Sequence, residues 1–108
     1  MNQRKFPRIK RRVNCEVSVD GQRHVGVVLD LSPGGFFVQT RAAPPIGADV
    51  VVHLRRTSSD GVEVQAKVAN RKATPPRLAS VARGGIGCQL TAPPETYFAL
   101  LEALTTGA

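Results

Sequence analysis

Two short segments of the sequence carry the polar residues that are best suited to binding a small ligand. The first, Arg4-Lys5-Phe6-Pro7-Arg8, places two arginines four residues apart, and the arginine fork pairs well with phosphate groups. Pro7 disfavours helix at Phe6, so this segment is expected to be extended or turned. The second, Asp30-Leu31-Ser32-Pro33-Gly34-Gly35, combines two short side chains that organise turns with two glycines that permit unusual backbone angles.

The positive charge of the chain is concentrated near its first residue. The 108 residues include 15 Lys and Arg against 8 Asp and Glu, a formal net charge of +7. Six of the basic residues fall within residues 1–12, which contain no acid: Arg4, Lys5, Arg8, Lys10, Arg11 and Arg12. The other 96 residues hold the remaining nine basic groups and all eight acidic ones, a net charge of +1. The pattern indicates a basic arm, mobile until an anion neutralises it, attached to a nearly neutral body.

The composition predicts one soluble globular domain over residues 1–108. A chain of this length can bury roughly two-thirds of its unfolded surface, and a hydrophobic fraction of 42% supports a packed core. No apolar run is long enough for a membrane span or a signal peptide, so the expected location is cytoplasmic, without membrane insertion. Cys15 and Cys88 lie 73 positions apart, which fits neither a metal site nor a disulfide framework, and no cofactor is expected.

The elements that must position the two polar segments are strands. Apolar residues alternate with polar ones over most of the chain, and Gly- or Pro-containing turns separate the alternating runs. Six strands are predicted: 13–19, 23–29, 36–40, 49–55, 62–70 and 86–90. Residues 71–85 are expected to form a long irregular connection.

Only the last part of the chain has a helical period. Tyr97, Leu100, Leu101 and Leu104 form one apolar stripe, and Pro93-Pro94 can begin a helix. The predicted fold class is mostly β, a small six-stranded antiparallel barrel with a C-terminal α-helix that covers an open end or edge. Within this fold, residues 1–12 are the basic arm, 13–91 the barrel and 92–108 the helix.

The two polar segments together resemble the motifs of the PilZ domain family of bacterial cyclic di-GMP receptors. Arg4 and Arg8 supply an RxxxR motif that leads into the first strand, and Asp30, Ser32 and Gly35 supply DxSxxG. The resemblance implies that these five residues bind cyclic di-GMP. Further contacts are expected from three neighbours of the motifs: Lys5, Arg12 and Gly34.

The chemistry of cyclic di-GMP agrees with this implication. Guanine presents O6 and N7 as paired acceptors for an arginine fork, and its N1–H and N2–H₂ groups suit the carboxylate of Asp30. A dianionic ligand would also relieve the repulsion within the arm and fold the arm onto the barrel. The expected function is that of a stand-alone receptor or adaptor, which then signals to an unidentified partner protein.

Two other functions compete with the receptor. A small barrel with a basic arm can bind nucleic acid through its phosphates, although the strands lack a basic, aromatic-rich face and nucleic acid is not the expected partner. A PilZ-like module can also dock to proteins without binding a nucleotide. An enzyme is not expected, because the sequence contains no nucleophile elbow, phosphate-binding loop or paired carboxylates in a recognisable context.

Overall fold

The protein was analysed as a computed structural model that describes residues 8–42, 44–55, 61–72 and 84–105. These residues form six strands and one helix. The bounds are β1 Ile9–Val19, β2 Gln22–Ser32, β3 Gly35–Thr40, β4 Asp49–Arg55, β5 Val62–Lys72, β6 Gly85–Leu90 and α1 Glu95–Thr105.

The six strands form a closed antiparallel barrel in the order β1-β2-β3-β6-β5-β4. Four of the pairings join strands that follow one another along the chain. The other two, β3 with β6 and β1 with β4, close the ring. Asp20 and Gly21 both have positive φ, 51° and 81°, and form the tight β1–β2 turn that the sequence predicts. The predicted fold class is confirmed.

The interior of the barrel is filled by the apolar residues of the alternating pattern. Phe36 points into the core with 1% of its surface exposed, whereas its neighbour Phe37 lies on the outer face and is half-buried. Cys15 and Cys88 are buried free thiols, and burial raises the pKa of each to about 12. Both therefore act as small hydrophobic side chains rather than as nucleophiles.

The helix α1 completes the core with the predicted stripe. Tyr97, Leu100, Leu101 and Leu104 are all buried and belong to the same hydrophobic cluster as the strands. Arg11 of β1 donates from Nη1 to the carbonyl oxygen of Leu104, 3.0 Å away, and so satisfies one of the free carbonyls at the helix C-terminus. Of the residues that the structure describes, none form a helix with the length and apolar character of a membrane span.

Several element boundaries differ from those predicted. Strand β1 begins at Ile9, so residues 9–12 of the predicted arm belong to the barrel, where Ile9 and Lys10 pair with Leu31 and Asp30. Alternation explains this result, because the charged side chains of Lys10 and Arg12 can stay exposed on a strand. Strands β2 and β5 continue to Ser32 and Lys72, and the helix begins at Glu95 rather than at residue 92; residues 106–108 of the predicted helix lie outside the described residues. Most of the predicted 71–85 connection lies outside the described residues.

Three strands each contain one extra residue, and all three irregularities lie at the same level of the barrel. The register shifts between Lys10 and Val13 in β1, between Val28 and Asp30 in β2, and between Val68 and Asn70 in β5. A bulge of this kind turns the residues that follow it toward the other face of the sheet. The result is one continuous row of paired residues across five strands: Lys10, Asp30, Phe37, Gly87 and Asn70.

Candidate nucleotide-binding site

The two polar motifs meet at the start of β1 and the end of β2. Arg8 directly precedes β1, and its Nε and Nη2 atoms lie 2.9 Å and 2.6 Å from Oδ1 of Asp30. Both side chains remain partly open to solvent, with 37% and 26% of their surfaces exposed. Because both contacts use Oδ1, the described residues leave Oδ2 of Asp30 free to accept another hydrogen bond. The structure thus joins a residue of RxxxR to a residue of DxSxxG.

The rest of the second motif forms a tight connection from β2 to β3. Ser32 pairs with Gly35, Pro33 and Gly34 form the turn between them, and Ser32 Oγ donates to the carbonyl oxygen of Gly35 at 3.3 Å. Asp30 and Ser32 are therefore strand residues, one at either side of buried Leu31, and both face outward. A Cβ at Gly35 would overlap the carbonyl oxygen of Cys88 in β6, so β3 approaches β6 closely at this point.

The helix is connected to this motif through Tyr97. Its hydroxyl donates to the carbonyl oxygen of Ser32 at 2.6 Å, and its ring packs 6.1 Å from that of Phe36. Burial raises the pKa of Tyr97 above its usual range, while the positive charge of Arg8 partly opposes this shift. Tyr97 therefore remains a neutral donor at physiological pH and fixes the end of β2 against the helix.

Replacing Tyr97 with phenylalanine should destabilise the fold by about 1 kcal/mol, because one part-buried hydrogen bond is lost while the ring packing is kept. Chemical denaturation followed by circular dichroism would measure this difference. An unchanged free energy of unfolding would mean that the Tyr97 hydroxyl does not stabilise the β2–α1 contact.

A surface pocket of about 460 Å³ lies beside the Arg8–Asp30 contact. One side is formed by Arg8 and the β2–β3 turn from Ser32 to Gly35. The other side is formed by Asn70 of β5 with Gly87 and Gln89 of β6. The volume lies within the usual range for small-molecule sites, roughly 300–1,000 Å³.

The structure brings together most of the predicted site residues that it describes. Asp30 contacts Arg8, and Ser32, Gly34 and Gly35 line the pocket. Arg12 is exposed on β1 and is not among the residues that line it. Arg4 and Lys5 lie outside the described residues.

The sequence prediction did not include Asn70, Gly87 and Gln89. One signal was available, because an isolated glycine within a strand often marks a bulge or a close contact, and Gly87 is such a residue. The described residues include no group of three or more His, Cys, Asp or Glu side chains that could hold a metal ion.

The chain is similar to known proteins in both sequence and fold. The family model of the PilZ domain matches residues 2–107, whereas a sequence comparison with curated proteins gives no match. The fold is similar to the solved structure of the Bacillus subtilis inhibitor of motility (MotI/DgrA), with a TM-score of 0.78 and 13% sequence identity. The alignment covers 98% of this chain and 51% of that one, so the chain spans about half the length of the motility inhibitor. Because the family model covers nearly every residue, the chain belongs to the PilZ domain family.

Proposed function

We propose that this chain is a receptor for cyclic di-GMP, which binds between the RxxxR segment and the outer face of β2. The observation that carries the proposal is the contact of Arg8 with Asp30, which joins two motifs 22 residues apart at the side of an open pocket. Membership of the PilZ domain family supports the choice of ligand.

The two side chains present complementary groups for a guanine base. The Arg8 fork can donate to O6 and N7, and Asp30 can accept from N1–H and N2–H₂. In the structure the two groups already orient each other at 2.6 Å and 2.9 Å. In the proposed complex, Ser32 and the backbone of Gly34 and Gly35 hold the neighbouring sugar and phosphate.

The Arg8–Asp30 pair can exchange its mutual hydrogen bonds for hydrogen bonds to a ligand at little cost in free energy. A partly exposed ion pair contributes only about 0–1 kcal/mol to stability, since solvent competes for both charges. A ligand that offers hydrogen bonds to both side chains can therefore replace their mutual contact. The stability of the fold would change only slightly, and breaking the pair would subtract little from the free energy of binding.

Arg4, the first arginine of RxxxR, would also bind the ligand in the proposed complex. Arg4 would contact the phosphates from the opposite side, with Lys5 adding positive charge. Ligand binding would order residues 4–7, because residues 9–12 already belong to β1. The altered surface would then be recognised by a partner protein in the cytoplasm. PilZ domains act as binding and adaptor modules, so no catalytic step is proposed.

Isothermal titration calorimetry at physiological salt tests the proposal directly. We expect saturable binding of cyclic di-GMP and little heat from GTP, which lacks the second guanine. Backbone amide relaxation of residues 4–6 should report slower motion in the complex; Pro7 has no amide N–H. An affinity for duplex DNA that equals that for cyclic di-GMP and falls steeply with salt would instead identify a nucleic-acid-binding barrel. No binding of either would leave a protein-docking module.

A further inference from the structure

The side of the pocket formed by β5 and β6 contains polar groups that neither motif includes. Asn70 is exposed, and its carboxamide makes no hydrogen bond to the described part of the chain. Among the described residues that line the pocket, Arg8 is the only charged one, so the β5–β6 side is neutral. A neutral carboxamide is better suited to the edge of a nucleobase than to a phosphate.

The backbone of β5 is arranged to place Asn70 in this position. Val68 points into the core, and simple alternation would turn Asn70 inward as well. The register shift between Val68 and Asn70 adds Ala69 as an extra residue, and both Ala69 and Asn70 are exposed. Such bulges re-aim side chains and are common beside functional sites. The irregularity in β2 lies beside Asp30 in the same way.

The residue opposite Asn70 leaves space for its side chain. Asn70 pairs with Gly87, and a Cβ built on Gly87 would lie 2.6–2.9 Å from the carboxamide atoms. Gly87 has no positive φ, so its backbone conformation does not require glycine. A Cβ at Gly87 would instead displace the carboxamide of Asn70, which lies across this position at the pocket wall.

The distance from Asp30 to Asn70 indicates what Asn70 can contact. The two residues occupy one row and are separated by three strand-to-strand steps, roughly 14 Å at the usual spacing. One guanine cannot contact both side chains over this distance. Asn70 is therefore placed to meet a different part of a ligand whose first guanine is held by Arg8 and Asp30.

We infer that Asn70 is a second base-recognition residue, which hydrogen-bonds the other nucleobase of a bound cyclic dinucleotide. This inference rests on the proposed cyclic di-GMP binding. A carboxamide offers one acceptor and two donors, so it can pair with O6 and N1–H of guanine or, reversed, with N1 and N6–H₂ of adenine. The site should thus require guanine at the Asp30 end and accept guanine or adenine at the Asn70 end.

Calorimetry with two ligands, cyclic di-GMP and the mixed cyclic GMP–AMP, tests this inference. The wild-type protein should bind the two with affinities within about tenfold of each other, because one end of the site accepts either base. Asn70→Ala should weaken both by roughly five- to tenfold, as expected for loss of a hydrogen-bonding side chain. Gln65→Ala is the matched control, since it removes an exposed carboxamide from β5 outside this pocket.

Asn70→Asp separates base recognition from a structural role. A carboxylate accepts from guanine but repels the N1 acceptor of adenine, so this variant should retain more binding of cyclic di-GMP than of the mixed ligand. If Asn70→Asp weakened the binding of both ligands equally, or if Asn70→Ala bound both like the wild type, the inference would be overturned and the proposed function would remain intact. Failure of the wild-type protein to bind either ligand would overturn both.

Discussion

Replacing Arg8 with alanine should lower the affinity for cyclic di-GMP by roughly a hundredfold or more while the fold remains intact. In the proposed complex the Arg8 guanidinium donates directly to a guanine base, and truncating one partner of a buried, charged hydrogen bond in an interface typically costs about 2–5 kcal/mol in binding. The truncation also leaves the Asp30 carboxylate, 2.6 Å from Nη2 of Arg8, without its cation. In the variant, a dianionic ligand would meet this carboxylate without the guanidinium that now neutralises it.

The stability of the Arg8→Ala protein should change by less than about 1 kcal/mol, because the pair is partly exposed. Calorimetric titration would measure the loss of affinity, and thermal unfolding of the same samples would measure the change in stability. Arg8→Lys keeps the positive charge but loses the planar fork, so its affinity should lie between those of alanine and arginine.

Arg23→Ala provides the matched control for charge. Arg23 also pairs with a carboxylate across β1 and β2, with Nη1 3.1 Å from Oε1 of Glu16, but it does not line the candidate pocket. Its removal lowers the net charge by the same amount. If the two arginine variants bound cyclic di-GMP equally well, general electrostatic attraction rather than a specific Arg8 contact would account for the binding.

Replacing Gly35 with alanine should produce the largest loss of stability among the motif substitutions, about 3 kcal/mol. The added Cβ would overlap the carbonyl oxygen of Cys88, a backbone atom that cannot rotate away as a side chain can. Strands β3 and β6 would have to separate, and in a closed barrel that movement also disturbs their other neighbours. A loss of this size is a large fraction of the total stability of a small domain, roughly 5–15 kcal/mol.

Gly34→Ala is the control for this prediction, one residue earlier in the same turn. A Cβ at Gly34 meets no atom within 4 Å, and its φ is not positive, so alanine should fit without strain. Its free energy of unfolding should equal or slightly exceed that of the wild type, because alanine restricts the unfolded chain. Urea denaturation would compare the variants. Equal midpoints for the two alanine variants would show that β3 and β6 can separate at little cost.

Much of the fold could be predicted from local patterns in the sequence. Alternation from Val13 to Val19 and the Asp20-Gly21 turn predicted the β1–β2 hairpin, and the spacing of Tyr97 and the three leucines predicted the helix. The predicted start of β1, residue 13, was wrong, because the charged residues 10–12 resemble a solvated terminus until the pairing of β1 with β2 is known. Pairing partners are set by tertiary structure, and no single segment specifies them.

The candidate site was only partly accessible to sequence reasoning, for a related reason. Arg8 and Asp30 could be chosen from motif spacing, and the structure brings them together. Asn70 could not be chosen, because the alternating pattern of β5 assigns it to the inner face until Ala69 is recognised as an extra residue. A single unpaired residue reverses the orientation of those that follow, and the residue types within β5 itself give no sign of it.

The closure of the barrel also has a consequence for how the chain folds. Four strand pairings join neighbouring segments and can form early, but β1 must find β4, and β3 must find β6 across an interval of about fifty residues, as from Gly35 to Gln89. Closing such loops costs entropy before the contacts stabilise them, and barrels dominated by distant pairings fold over milliseconds to seconds. Gly35 lies in one of these two late pairings. The motif glycine therefore lies where the barrel closes, so the same residue contributes to closing the ring and to shaping the finished site.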